Sequence, residues 1–417
     1  MTWPVVPLNE LQAEEPRAIT DGPFGSNLAS RHYTEHGPRV VRLQNIGDGH
    51  FVDEKAHIAQ EHFEFLRTHE VLAGDLLVAS LGEVLPRACL APPTLGPAIV
   101  KADCIRVRLR RGVEPRWVMY AMQRPEVRRW ADSHRHGVGR PRLGLKMIRQ
   151  IPVPLPSLDE QRRVVEQLED HLSRLDAADE YVRTGFARAQ AWHAKVIDQL
   201  VWSPGYPRKE VRSLLREPMR NGRSDRAVQG SDGGTRTLTL TAVTRNSFIE
   251  EHTKLTTTTR DRAAGLWLEP GDVLVQRSNT PELVGTSARF DGPRNWAIFP
   301  DLLIRLRADE SLVDSRYLSA ALRSHQGHVQ LRRRAKGAAG SMPKIDQEAV
   351  GSVLIPLPSG EDQGQIVAQV AAADNGLRQL HAELEAAQQR STTLRRSLLD
   401  AAFSGRLTEA YAETATA

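Results

Sequence analysis

Cysteine is almost absent from this 417-residue chain. Cys89 and Cys104 are the only two, and neither belongs to a C-x-x-C pair. That count is too small for a disulfide framework and offers no paired thiolate site for zinc. Long apolar runs are missing as well, all falling short of the roughly 18 residues that a membrane span needs. Met1-Thr2-Trp3-Pro4 opens no basic-then-apolar signal peptide. These absences predict a soluble protein of the reducing cytoplasm with no membrane partner. Charge of one sign is scarce too: 56 Lys and Arg stand against 51 Asp and Glu, for a net charge of +5. Catalytic signatures are equally thin. There is no G-x-x-x-x-G-K-[ST] phosphate loop, no Asn-Pro-Pro-aromatic motif and no H-E-x-x-H zinc helix. Asp53-Glu54-Lys55 has no Pro-Asp at a suitable distance, so a surface loop is the expectation. His134 and His136 flank Arg135 among cations, which disfavours a metal.

What the chain does have is a copy of itself. V-P-L-P-S-L-D-E-Q at Val153 to Gln161 returns 202 residues later as I-P-L-P-S-G-E-D-Q at Ile355 to Gln363. Pro141, Arg142 and Leu143 keep that offset with Pro343, Lys344 and Ile345. Further upstream the offset is 197, where Gly74 to Val78 matches Gly271 to Val275, and Val41, Leu43 and Ile46 match Leu238, Leu240 and Val243. Self-similarity on this scale means two copies of one plan and a pseudo-two-fold molecule. The side chains between the anchors differ: Arg42, Gln44 and Asn45 stand against Thr239, Thr241 and Ala242.

Short β-branched runs predict strands at Val40 to Ile46, Leu76 to Ala79 and Cys104 to Leu109. Their counterparts are Thr237 to Val243, Asp272 to Gln276 and Leu302 to Leu306. Helical spacing is expected over Pro115 to Ala131 and Ser315 to Arg334. Each globular unit is therefore α+β. Leu158 to Val201 then carries a heptad seam through Val165, Leu168, Leu172, Leu175 and Val182. The second copy places Val367, Val370, Leu377, Leu384 and Leu398 in its seam but interrupts them with Asp374, His381, Gln388, Ser391 and Arg395. A seam so mixed is a poor homodimer zipper. About 40 residues at 1.5 Å each give roughly 60 Å, enough for the two helices to pair as a stalk. Ser157 and Ser359 are expected N-caps behind the proline brakes.

Asp21-Gly22-Pro23-Phe24-Gly25-Ser26-Asn27-Leu28, followed by Val41-Arg42-Leu43-Gln44-Asn45-Ile46-Gly47-Asp48-Gly49, resembles the first target-recognition domain of the DNA specificity subunit of type I restriction-modification systems. The two P-L-P-S boxes with their long helices resemble that family's two spacer helices, and the likeness spans nearly the whole chain. The resemblance implies recognition domains at 1–155 and 204–357, spacer helices at 156–203 and 358–408, and a flexible tail at 409–417. It also implies that each recognition domain reads half of a bipartite site on double-stranded DNA while the antiparallel helices set the gap. Such subunits are non-catalytic and bind no cofactor. They recruit two methyltransferase subunits, which use S-adenosylmethionine, and restriction/translocase subunits, which use ATP and Mg2+. The second unit lacks the R-L-Q-N-I run, so contacts do not transfer between copies.

Arg pairs with guanine and Gln or Asn with adenine in the major groove, so Arg42, Gln44 and Asn45 are candidate readers on one strand. Arg31 and Arg87 join them in the first unit. Arg223, Thr244, Arg245, Asn246, Arg277 and Asn279 are the candidates in the second. Arg140, Arg142, Lys336 and Lys344 lie on the copied loops, where phosphate contact is expected. The arginines between Arg106 and Arg149 and between Arg332 and Arg334 form basic clusters suited to a phosphate-tracking surface, or are solvated helix faces. Leu168, Leu172, Leu175, Val182, Leu377, Leu384 and Leu398 are the candidates for partner docking. A coiled-coil protein scaffold, a self-sufficient nuclease and a modification-only system are the alternatives.

Overall fold

The computed structural model describes residues 3–137, 139–203, 205–228, 234–337 and 342–408. The tail expected over 409–417 lies outside the described residues. Two compact units emerge, one made of Met1–Val182 with Ala386–Ala417 and the other of Arg183–Glu385. Each of the long helices, Leu158–Val201 and Gly360–Phe403, contributes one part to each unit.

Unit 1 is built on a four-stranded antiparallel sheet in the order Ile19–Asp21, Cys104–Val107, Leu76–Ala79, Arg87–Leu90. The same plan recurs in unit 2 as Arg220–Asn221, Leu303–Leu306, Val273–Gln276, Ser287–Arg289. Leu76 to Ala79 and Val273 to Gln276 are buried throughout, as expected of central strands covered on both faces. Cys89 and Cys104 are buried free thiols in this first sheet; burial pushes Cys89 up to about 12. The helical segments after each sheet are broken in two where one was expected. Pro125 starts a new helix after Pro115–Met122, and Ser324 caps His325–Arg333 through the amide of Gly327 after Ser315–Arg323.

The copied residues are framework. Asp75 accepts the amide of Leu72 and a two-pronged contact from Arg108; Asp272 does the same with Glu269 and Arg307. Hydrogen bonding to Asp75 holds the Arg108 guanidinium above its ordinary range. Gln161 and Gln363 are buried just inside the long helices. Gln161 accepts the amide of Glu114 at 2.9 Å and donates to the carbonyl of Pro156; Gln363 accepts from Asp314 at 2.8 Å and donates to Pro358. Trp117 Nε1 donates to the carbonyl of Pro154 at 2.7 Å, and Tyr317, a different ring, donates its hydroxyl to Pro356 at 2.9 Å. Ser157 and Ser359 accept the amides of Glu160 and Asp362 as the expected N-caps.

Within each unit the long helices run antiparallel. In unit 1, Ser391 donates to Asp179 and Arg395 reaches Asp176 and Asp179. In unit 2, His193 meets Asp374 and Phe186 stacks on His381 with centroids 4.5 Å apart. Four of the five polar residues in the second seam are thus used across to the first helix, which makes the pair specific to its own partner. Three of the apolar docking candidates belong to the unit 1 core. Leu168 is buried in the unit 1 core, and Leu172 and Leu398 pack against it. Its burial there leaves Leu168 little surface for a docking partner. Leu175, Val182, Leu377 and Leu384 are partly buried.

Candidate nucleic-acid interface

The loops preceding the long helices are pinned to the ends of the central strands in the same way in both units. Arg142 exchanges backbone hydrogen bonds with His136, and the amide of Leu143 donates to the carbonyl of Ser80 at 2.8 Å. In unit 2, Lys344 exchanges them with Lys336, and Ile345 donates to Arg277 at 2.8 Å. A second crossing is shared. A side chain on Gly22 would overlap the backbone of Val100 and Lys101, and one on Gly222 would overlap Phe299 and Pro300. Asn221-Gly222-Arg223 is therefore the counterpart of Asp21-Gly22-Pro23, a match that sequence reading missed because only the glycine is retained.

Between these fixed points unit 1 opens a cleft of about 580 Å3, lined by Tyr33, Arg42, Gln44, Lys101, Asp103 and Arg140 among others. Three of the sequence candidates, Arg42, Gln44 and Arg140, come together here. Lys101 and Tyr33 were not anticipated; the Lys101 ammonium sits 5.6 Å from the centre of the Tyr33 ring. No motif in the sequence marks either residue. Arg140 is exposed and has no ion-pair partner among the described residues. Arg142 is held, at 2.6 Å from Asp103 and 5.5 Å from the Phe24 ring. Arg31 is exposed in the helical turn Ser30–His32, next to Ser30 on the cleft wall. Arg87 begins a sheet strand opposite Ala79 and is partly buried.

The expected strand through Val40 to Ile46 is corrected: Tyr33–Val41 is the strand, and Leu43–Asn45 turns as a 3-10 helix. Asn45 causes the turn. Its buried side chain accepts the amide of Arg42 and donates to the carbonyls of Val52 and Glu54, each at 2.8 Å. Asn45 is thus a structural residue and not a base reader. Gln44 is exposed and donates to Glu54 at 2.6 Å; Arg42 stands 3.8 Å from the same carboxylate. Those contacts orient both side chains at the cleft rim.

Unit 2 also turns at the corresponding place. The strand stops at Leu238, and Leu240–Thr244 is a short helix instead of the continued strand expected to Val243. Gln276, fully buried, donates to Thr244 at 2.6 Å and to the carbonyl of Leu240, and accepts from Asn279 at 2.7 Å. Thr244 and Asn279, both candidates from the sequence, are therefore bonded within this network. Arg223 pairs with Asp225 at 3.0 Å and Lys336 with Asp346 at 3.6 Å. Arg245, Asn246 and Lys344 are exposed, and Arg277 is partly buried.

Several arginines of the supposed phosphate track are internal. Arg106 is 4 % exposed and donates to the carbonyls of Glu70 and Arg17; Arg305 on the matching strand of unit 2, outside the expected clusters, is 2 % exposed and donates to Trp267 and Glu217. Arg108 and Arg307 hold the paired aspartates, Arg116 bonds Glu114 and Glu169, and Arg124 lies 5.0 Å from the Phe403 ring. Their spacing alternated apolar with charged as an exposed strand does, and only the partner carboxylates reveal the burial. Among the described residues no group of three or more His, Cys, Asp or Glu is placed to hold a metal, and no helix is long and apolar enough to cross a membrane.

No protein-family model matches the chain. Curated relatives do. The StySPI specificity subunit of a type I restriction enzyme from Salmonella potsdam is 24% identical over 322 residues, covering 74% of this chain and 68% of that protein. The EcoEI specificity subunit from Escherichia coli is 26% identical over 166 residues, covering 40% of this chain and 28% of that one. Among solved structures, a chain from a study of complex assembly and conformational transition in the type I R-M system superposes with a TM-score of 0.72 at 17% identity, covering 97% of this chain and 98% of that chain. The HsdS subunit from Thermoanaerobacter tengcongensis gives 0.51 at 18% identity, with 97% of each covered. In sequence this chain is a relative of the specificity subunits of type I restriction enzymes, and its fold is the HsdS fold.

Proposed function

We propose that the chain is the DNA specificity subunit of a type I restriction-modification complex, each unit reading one half of a bipartite target on double-stranded DNA. One observation carries this reading. The framework is copied between the units down to the Gln161 and Gln363 clamps and the Asp75–Arg108 and Asp272–Arg307 pairs, whereas the polar rims differ residue by residue. A fixed scaffold with unlike surfaces is what two independent sequence sensors require. In unit 1, Arg42 and Gln44 are the groups for base edges and Lys101 and Arg140 the groups for phosphate.

The long helices set the distance between the half-sites and dock two methyltransferase subunits, and restriction/translocase subunits complete the assembly. S-adenosylmethionine, ATP and Mg2+ belong to those partners, and this chain supplies no catalytic group. Methylome sequencing of a host with and without the gene is the test. A bipartite methylated motif that disappears with the gene is the expected result; an unchanged methylome contradicts it.

A further inference from the structure

The positions that make the unit 1 cleft cationic are neutral in unit 2. Arg42, Lys101 and Arg140 correspond, through the shared offset and the shared glycine crossing, to Thr239, Pro300 and Met342. Thr239 donates its hydroxyl to the carbonyl of His252 at 2.9 Å. The cationic groups that unit 2 offers to DNA therefore stand at other positions than Arg42, Lys101 and Arg140 do in unit 1.

Unit 2 has a separate cleft of about 640 Å3, lined by Arg236, Arg260, Trp267, Asn295 and Trp296 among others. Its wall is rigid. Arg236 lies 5.0 Å from the Trp296 ring and donates to Glu250 at 2.9 Å and to Thr253 at 3.1 Å, so its charge is already balanced. Arg260 and Asn295 differ from it. Both are exposed, and neither side chain has a hydrogen-bond or ion-pair partner among the described residues. Asn295 has a φ of 58°, a left-handed conformation that asparagine tolerates better than most residues, and its amide nitrogen donates to the carbonyl of Leu268. A free guanidinium and a free carboxamide beside tryptophan walls are the groups that pair with guanine or phosphate and with adenine.

We propose that unit 2 reads its half of the DNA target through this cleft, with Arg260 and Asn295 presented to the duplex, and not through the positions that unit 1 uses. The proposal rests on the specificity-subunit reading and adds that the two copies read DNA with non-equivalent surfaces. The test uses the chain in complex with its methyltransferase subunits, on duplexes carrying the methylome-derived motif intact or with either half scrambled. Asn295→Gly keeps the left-handed backbone while removing the carboxamide; Arg260→Ala removes an exposed, unpaired cation. Unchanged melting curves establish that both variants fold.

Each variant is expected to bind the intact target about tenfold more weakly. Each should also lose the penalty for scrambling one half-site while retaining the penalty for the other. Wild-type affinity with both penalties intact in both variants overturns the assignment. A wild-type complex that does not distinguish intact from scrambled duplexes overturns the specificity-subunit reading itself, and this assignment with it.

Discussion

His193 Nε2 lies 2.8 Å from Asp374 Oδ1 across the two long helices, and Asp374 also receives two nitrogens of Arg323 at 3.1 and 2.6 Å. One carboxylate in the middle of a polar seam thus ties both helices to a helix of the globular unit. Asp374→Ala leaves two donors without their acceptor and should cost about 1–3 kcal/mol in urea unfolding. Asp374→Leu, which adds an apolar group but no acceptor, should not restore the loss.

Gln161 fixes the start of the first long helix to the N-cap of the helix that carries Trp117. Gln161→Leu fits the same space with neither donor nor acceptor, and should lower unfolding stability by about 1–3 kcal/mol. The matching Gln363→Leu should do likewise through the amide of Asp314. Equal stability of either variant and the wild type would show the clamps to be dispensable.

Asn45 and Arg140 separate folding from reading. Asn45→Ala removes three hydrogen bonds from a buried turn, and its effect should appear in the melting temperature. Arg140→Ala should leave melting unchanged, weaken DNA binding across sequences and reduce the slope of log K against log salt by about 1. A salt slope identical to wild type would remove Arg140 from the phosphate contacts.

His328 Nε2 donates to the carbonyl of Val284 at 2.9 Å, and burial lowers its pKa below the ordinary 6.5, helped by Arg332 and His325. A lowered pKa means that the unfolded chain takes up a proton the folded chain resists. Stability therefore falls as pH drops below about 6.5 towards the folded-state value, and is fully present above it. His328→Gln should lose less unfolding free energy than wild type between pH 7.5 and 5.5. Equal losses would contradict the assignment.

The duplication, the two long helices and the central strands were legible because they rest on strong periodicities and on proline and glycine punctuation. The break at Pro125 was legible in principle, since proline at a first helical turn marks a new start. What the sequence hid was the destination of polar groups. Arg106 and Arg108 have the alternation of an exposed strand, and Asn45 looks like a reader until its buried partners are in view. Residue type sets what a side chain can bond, and tertiary folding sets whether that capacity is already used. For the same reason Lys101 and Asn295 carried no signal of their own.

Exchange of unit 2 is the most direct test of the central claim. The segment from Arg208 to Leu354, bounded by the paired strands Arg208–Glu210 and Leu354–Pro356, is replaced by the corresponding segment of a relative with a different target, and the host methylome is sequenced. The account predicts a motif in which one half-site and the spacing are retained and the other half-site becomes the donor's. A motif changed in both halves, or in neither, would contradict two independent readers on a common frame.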